Sequence, residues 1–341
     1  MDYYGTLGPA CAGEETLRAM FDEGMTGVRL NLSHGTLPQN GRWVESCRAA
    51  FARSEMAKVL SRPRLIIDLQ GPELRIGALP EPVRLEEGGT VRLCGKDGCA
   101  HGDIPVPGIL LETLKAGEQL SLDDSAFLLE AERRDGDGWR CVVLRGGVLT
   151  SRKSLAVLGR EIGSPALTEE DLYNLDHAAE YGVTDLLQPF VRGAQDVRDV
   201  RAALSARGLS HIRIIAKIES MTGVEKLSEI IPEADEICIA RGDLGNAMPL
   251  WLLPGVQRKI AAACKEAGKP FMVVTQMLHS MMHSAVPTRA EVNDIYTAVL
   301  SGASSVMLTG ETAAGEYPVE AMRYLVRTGK EAEKGDLMKN E

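Results

Sequence analysis

The chain has 341 residues, with 38 basic and 48 acidic side chains and a net charge of −10 when histidines are neutral. A chain of this length suggests about two domains of ~100–200 residues, and its 44% hydrophobic content excludes wholesale disorder. An acidic chain without a Lys/Arg cluster argues against a nucleic-acid partner, and no stretch reaches the ~20 apolar residues of a membrane-spanning helix. The N-terminal MDYYGTLGPA has neither a basic start nor an apolar core, so no secretion signal is expected and the cytoplasm is the expected location.

Taken in chain order, β-like runs are expected at 3–6, 27–31, 65–69, 185–190, 212–218, 236–240, 271–275 and 304–308. Several are near-continuously apolar (LIID, IRIIAKI, EICIA, FMVV, SVML), as in parallel strands buried on both faces. Helical patterns lie between them. One starts near Gly13, turns Leu17, Met20 and Phe21 inward and stops at Gly24. Another opens on Thr168-Glu169-Glu170-Asp171, which has the form of a capping box, and runs to Gly182. Further helical patterns span 254–268 and 288–302.

Between 76 and 160 the rhythm changes to short alternating runs (TVRLCG, QLSLDD, AFLLEAE, WRCVVLRGG), cut by turn residues such as Asp135-Gly136-Asp137-Gly138. The reading is therefore an α/β chain, a (β/α)8 TIM barrel from 1–75 and 161–341. A small antiparallel β-barrel lid is inserted at 76–160, after the third strand. An open doubly wound sheet is the alternative, but neither GxGxxG nor GxxxxGK[ST] is present.

Seven cysteines in odd number and without paired spacing argue against a disulfide framework. Cys94, Cys99 and His101 form too incomplete a set for structural zinc and read as a Gly-rich loop. His279 and His283 are four apart but lack the glutamate of an HExxH arrangement, so they read as solvated or interface histidines.

Polar residues gather where the strands end: Asn31 and Ser33, Asp68, Lys217 and Glu219, Asp243, Thr275, and Thr309 with Glu311. In a closed barrel these positions converge above one rim. Lys217 and Glu219 are two apart on a strand and share a side. Glu219 and Asp243 suit a hard divalent ion that keeps several positions for water or substrate, as Mg²⁺ does. Lys217 beside them suits a phosphoryl group or a developing oxyanion. Asn31, Ser33 and Asp68 offer oxygen donors with one charge, suited to a monovalent cation. Arg29 and Arg75 add guanidinium forks for phosphate or carboxylate. Each has a structural alternative: a surface ion pair for Lys217–Glu219, a loop anchor for Arg29, a helix cap for Thr309, and turn chemistry for Asn31 and Ser33.

At these residues the sequence resembles the pyruvate kinase family, through TLGPA, VRLNLSHG, IDLQGPELR, SPALTEED, IIAKIES, IARGDLG, AGKP, TQML, PTRAEVNDI and VMLTGETAAGEYPVEA. The resemblance implies a barrel with an inserted lid and transfer of a phosphoryl group from phosphoenolpyruvate to ADP, giving pyruvate and ATP. It implies Glu219 and Asp243 as ligands of Mg²⁺ (or Mn²⁺) and Lys217 as the lysine that stabilises the moving group. Asn31, Ser33, Asp68 and the Leu69 carbonyl would form a K⁺ site, with Glu73 as the glutamate of K⁺-dependent members. Arg29 would hold the substrate phosphate, and Asn31, His34 and Arg75 would face the nucleotide. The Arg241-Gly242-Asp243 backbone would hold the substrate carboxylate. Thr275 would stand at the enolate face, and Thr309 takes the place of a serine in the proton path. A homodimer through 287–291 is implied, and a C-terminal effector domain, with its allosteric activation, is expected to be absent.

The sequence departs from the family at Gln70 and Gly193, where lysines are usual, at Gly163 in the lid hinge, and at Asp123-Asp124-Ser125 in the lid. Each lost cation removes a charge-assisted contact of about 1.5–3 kcal/mol from a nucleotide. Two other readings follow: an enolate enzyme with a different acceptor or keto-acid decarboxylase activity, and a catalytically weak metabolite-binding paralogue.

Overall fold

The computed structural model describes residues 1–337 except 96, 97, 124, 125, 159–161 and 164. Eight short strands, β1 (Asp2–Thr6), β2 (Gly27–Asn31), β3 (Arg64–Asp68), β4 (Asp185–Gln188), β5 (Arg213–Ile218), β6 (Glu236–Ala240), β7 (Phe271–Val274) and β8 (Ser305–Met307), pair in parallel. They close into a barrel in the order β1-β8-β7-β6-β5-β4-β3-β2. The strand pattern explains the closure. Residues alternate between the barrel interior and the helices. Ile66, Leu187, Ile215, Cys238, Met272, Val274 and Met307 fill the interior with Tyr4, while Leu65, Ile67, Leu186, Ile214, Ile237, Phe271 and Val273 join the outer core.

The interior is layered. At the N-terminal end of the strands, Asp185 takes N–H bonds from Arg64 and Arg213, each at 3.2 Å, and Glu236 takes one from Arg213 at 3.0 Å. Ser304 and Ser305 donate to the other Glu236 oxygen at 3.0 and 2.7 Å. Above this ionic floor lies the apolar layer, and above that a second ionic layer at the strands' C-terminal ends. Buried carboxylates need such partners, since burying an unpaired charge is costly.

The outer helices follow their sequence signals. Glu14–Asp22 buries Leu17, Met20 and Phe21, and the chain then turns at Gly24 with φ +115°, a backbone that glycine adopts without penalty. The capping box at Thr168 forms: its hydroxyl accepts from the Asp171 N–H while the Asp171 carboxylate accepts from the Thr168 N–H. Thr288 and Glu291 form a second one at the start of Arg289–Leu300. Residues 279–282 form a 3₁₀ turn, and His283 is an exposed partner of Glu316 at 2.9 Å, in keeping with its solvated reading.

Residues 72–165 form a separate unit. Its main sheet has six strands in the order Leu155–Val157, Gln119–Leu122, Phe127–Asp135, Gly138–Arg145, Thr90–Cys94, Ile104–Pro105, and a second two-stranded sheet pairs Val83–Leu85 with Gly147–Leu149. The insert is thus antiparallel except where Thr90–Cys94 and Ile104–Pro105 run parallel. It takes the form of a sheet with a short edge strand, where the sequence reading expected a small barrel. Pro105 on that edge has no N–H to extend the ladder. Asp135 pairs with Gly138 across a tight turn in which Gly136 has φ +64°.

One sequence reading fails here. Cys94 and Cys99 are joined by a disulfide, closing the loop that reads in sequence as glycine-rich and reduced; the other five cysteines are free and buried. Cys94 ends its strand, and Cys99 lies five residues on in the loop that follows. His101, the third member of the metal-like cluster, instead faces Glu81 at 2.7 Å. Among the described residues, no helix is long and apolar enough to cross a membrane.

Candidate active site

The upper ionic layer is built around Asp68, the last residue of β3. Arg29 of β2 donates from Nη2 and Nε to Asp68 Oδ2 at 2.6 and 2.8 Å, and from Nη1 to Thr6 Oγ1 at 3.2 Å. Lys217 of β5 reaches the same carboxylate, its Nζ 3.3 and 3.4 Å from the two oxygens. It also lies 2.8 Å from Glu219 Oε1. Strand alternation explains the gathering, for Arg29, Asp68 and Lys217 all stand at inward positions on the C-terminal side of their strands.

Burial raises the cost of charge on Asp68, but Lys217 and Arg29 outweigh it and hold the carboxyl below the usual range. Burial likewise opposes the Lys217 charge, and Asp68 and Glu219 outweigh it, so the ammonium is held charged more firmly than a free lysine. Glu219 behaves oppositely. Burial pushes its carboxyl up to about 7, the charge of Asp243 adds to the rise, and Lys217 works against it. Its Oε2 accepts the Phe190 N–H at 2.7 Å, whereas Oε1 is buried without a hydrogen-bond partner. The lysine is close to Oε1 but off hydrogen-bond geometry. A buried carboxylate oxygen held only by an ion pair with Lys217, beside a second, exposed carboxylate, suits a hard divalent cation completed by water or substrate oxygens. Among the described residues no group of three or more His, Cys, Asp or Glu side chains is placed to share a metal.

The other sequence candidates divide. Asn31 and Asp68, two of the four residues expected to hold K⁺, are register partners on β2 and β3. There the Asn31 side chain caps a 3₁₀ turn by accepting from the Ser33 N–H at 3.2 Å, and the Leu69 N–H donates to Leu187 at 3.2 Å. Turn chemistry, the structural alternative for Asn31 and Ser33, is therefore present. Thr309 donates its hydroxyl to Glu311 Oε2 at 3.2 Å, and Glu311 Oε1 takes the Leu278 N–H at 3.1 Å, so Glu311 ties the loops after β7 and β8. Arg75 belongs to the inserted unit, where it pairs with Glu73 at 2.6 Å and donates to the Arg152 carbonyl at 3.0 Å. The His34 side chain, Asp124, Ser125 and Ser164 lie outside the described residues.

Arg241 is placed otherwise than a substrate-binding side chain would be. Its guanidinium donates to the Thr275 carbonyl, to Asp294 at 2.6 Å and to the Met277 sulfur at 3.0 Å. Of Arg241, only the backbone is left to serve a ligand. Thr275 stands against that backbone, for a Cβ on Gly242 would lie 3.2 Å from Thr275 Cγ2. Sequence reasoning missed Thr6 and Phe190. Thr6 ends β1 in TLGPA and carried the same polar-strand-end signal as the others. Phe190 serves through its backbone N–H at φ +51°, which no residue type announces.

The family model for the pyruvate kinase barrel domain matches residues 2–322. The chain is 39% identical over 330 residues to a pyruvate kinase of Aeropyrum pernix, covering 96% of this chain and 70% of that protein. It is 34% identical over 332 residues to one of Chlamydia pneumoniae, with 96% and 68% covered. Over 341 residues it is 37% identical to the Homo sapiens pyruvate kinase PKLR, with 96% of this chain but only 59% of that protein covered. With the match spanning all eight barrel strands, the chain belongs to the pyruvate kinase family and is a pyruvate kinase-like phosphotransferase.

Proposed function

We propose that this chain moves the phosphoryl group of phosphoenolpyruvate to ADP in the cytoplasm, forming pyruvate and ATP. The observation that carries the reading is Lys217, held charged at the rim between Asp68 and Glu219, with one Glu219 oxygen left without a hydrogen bond. Phosphoryl transfer asks for positioning and charge neutralisation more than for covalent help. Asp68 supplies the positioning by holding Arg29 and Lys217 in one plane of attraction. Their charges face the phosphoryl group as its bond to the enol oxygen breaks and a bond to the terminal phosphate of ADP forms. The enolate left behind takes a proton at its methylene carbon, on the face that Thr275 flanks, and becomes pyruvate. Backbone N–H groups at Gly242 and Asp243 hold the carboxylate meanwhile. Mg²⁺ or Mn²⁺ would be held by Glu219 and Asp243 and would neutralise charge on phosphoryl and enolate oxygens.

K⁺ is part of this reading on residue identity and on the pairing of Asn31 with Asp68, and no step is derived through it. A homodimer through 287–291 is retained as a proposal. The test is pyruvate formation from phosphoenolpyruvate with Mg²⁺ and K⁺, with and without ADP, beside Lys217→Ala. ADP-dependent turnover that the variant lacks is the expected result. Pyruvate formation indifferent to ADP would overturn ADP as acceptor.

A second reading, the same enolate chemistry with another acceptor, is favoured by one observation. Gln70, where the family carries a lysine, turns its side-chain amide to the Leu32 carbonyl at 3.0 Å and so offers a nucleotide no charge.

A further inference from the structure

The carbonyl of Thr275 is held more tightly than a loop carbonyl needs to be. Arg241 Nη2 and Nε donate to it at 2.7 and 3.1 Å, while Nη1 of the same guanidinium is anchored on Asp294 Oδ2 at 2.6 Å. Charge-assisted bonds of this length are strong, and the planar fork fixes direction as well as distance. What they hold is a strained segment. Thr275 has φ +80° and Gln276 φ +53°, the left-handed region that glycine enters freely and a β-branched residue rarely does.

The grip also comes from outside the barrel. The guanidinium borders a cavity of about 300 Å³ whose wall includes Phe271 and Val273, the outward residues of β7, together with Gln276 and Asp294. On the inner side the same turn brings Thr275 against Gly242, at the backbone proposed to hold the substrate carboxylate. A strained turn between two such contacts persists only where the surroundings over-determine it.

We propose that Arg241 is a positioning residue. Anchored by Asp294, it holds the Thr275–Gln276 turn in the left-handed backbone that puts the Thr275 side chain beside Gly242. Its influence on turnover rests on the reading of Thr275 above; its hold on the turn does not.

Four variants test this: Arg241→Met, which keeps most of the stem and loses the fork, Asp294→Asn, Gln276→Gly and Thr275→Ala. Arg241→Met is expected to lower kcat by about 10²-fold, the scale of a small misplacement at a reacting centre, with a smaller change in the KM for phosphoenolpyruvate. Asp294→Asn, which still accepts a hydrogen bond, loses less. Adding Gln276→Gly to Arg241→Met restores part of the rate, because glycine takes the positive φ without being held. Adding Arg241→Met to Thr275→Ala costs nothing further. Hydrogen exchange across 275–282 rises in Arg241→Met while exchange in the remaining strands is unchanged.

A rise confined to KM would make Arg241 a substrate-binding side chain and overturn the proposal, as would additive losses in the double variant. If Thr275→Ala turns over like the unaltered chain, the role given to Thr275 fails and the exchange experiment alone decides. Faster exchange at 275–282 then upholds the positioning role, and unchanged exchange overturns it.

Discussion

Asp68 serves two cations at once, and this explains much of the upper layer at the scale of single residues. With Arg29 and Lys217 on one buried carboxylate, neither side chain can swing away without leaving a charge unpaired. Lys217→Ala is expected to lower kcat by at least about 10²–10³-fold, the usual loss when one preorganised electrostatic contact is removed; steady-state kinetics at saturating phosphoenolpyruvate measures it. Glu291 gives a pH prediction away from the metal carboxylates. Burial opposes its charge, but hydrogen bonds from the Ser280 hydroxyl and N–H and from Thr288 outweigh this and lower its pKa. A carboxyl whose folded pKa lies below its unfolded value binds fewer protons when folded, so it contributes stability that is complete above the unfolded value near 4.5 and is lost as pH falls through the folded one. Glu291→Gln should therefore melt lower than the unaltered chain at neutral pH, with the difference shrinking on acidification; melting curves taken from neutral to acid pH check this.

Between elements, carboxylates act as ties. Asp171 starts the helix Glu169–His177 with its capping box, and the same side chain takes the N–H groups of Gln70 and Gly71 at 3.0 and 3.1 Å, just after β3. Asp171→Ala therefore removes a helix cap and leaves two loop donors unpaired. The expected cost is about 1.5–3 kcal/mol, the range for hydrogen bonds to a charged group, read from chemical denaturation. The loop after β1 is packed more closely still. A Cβ on Gly8 would stand 2.4 Å from the Ala313 carbonyl oxygen, which is backbone and cannot turn aside. Gly8→Ala should push the turn Gly310–Ala313 away from β1, lowering the melting temperature and displacing Thr309 with it.

For the whole molecule, the barrel's two ionic layers have different duties. The lower one, Arg64, Asp185, Arg213 and Glu236, lies at the end of the strands opposite the candidate site. In barrels of this kind that end carries stability and the other carries chemistry. Asp185→Ala strands Arg64 and leaves Arg213 with Glu236 alone, and is expected to cost about 3–5 kcal/mol of stability, while kcat measured well below the melting temperature stays unchanged. A large loss of kcat in a folded Asp185→Ala protein would refute that division.

Much of this was legible in the chain itself. The eight strands lie within a few residues of where the apolar runs place them, because a strand buried on both faces must be apolar through its middle and can be polar only at its ends. The Thr168 capping box, the Gly24 helix stop and the Asp135–Gly138 turn are local chemistry and depend on neighbours a few residues away. The rim residues were legible for the same reason, as polar groups at the ends of apolar strands. What lay beyond reach depends on partners distant in sequence. The outward turn of Arg241 needs Asp294 and the Thr275 carbonyl; the positive φ of Phe190 and Thr275 is a property of packing rather than of residue type. The Cys94–Cys99 bond is the exception, only five residues apart but dependent on how its loop closes, and the sheet form of the insert depends on which edges find partners. Periodicity and strand-end polarity therefore determined the barrel and its ring of candidate residues. The tertiary structure alone decided which carboxylate holds which cation, since hydrogen bonds and ion pairs are set by distances that close only when the barrel does.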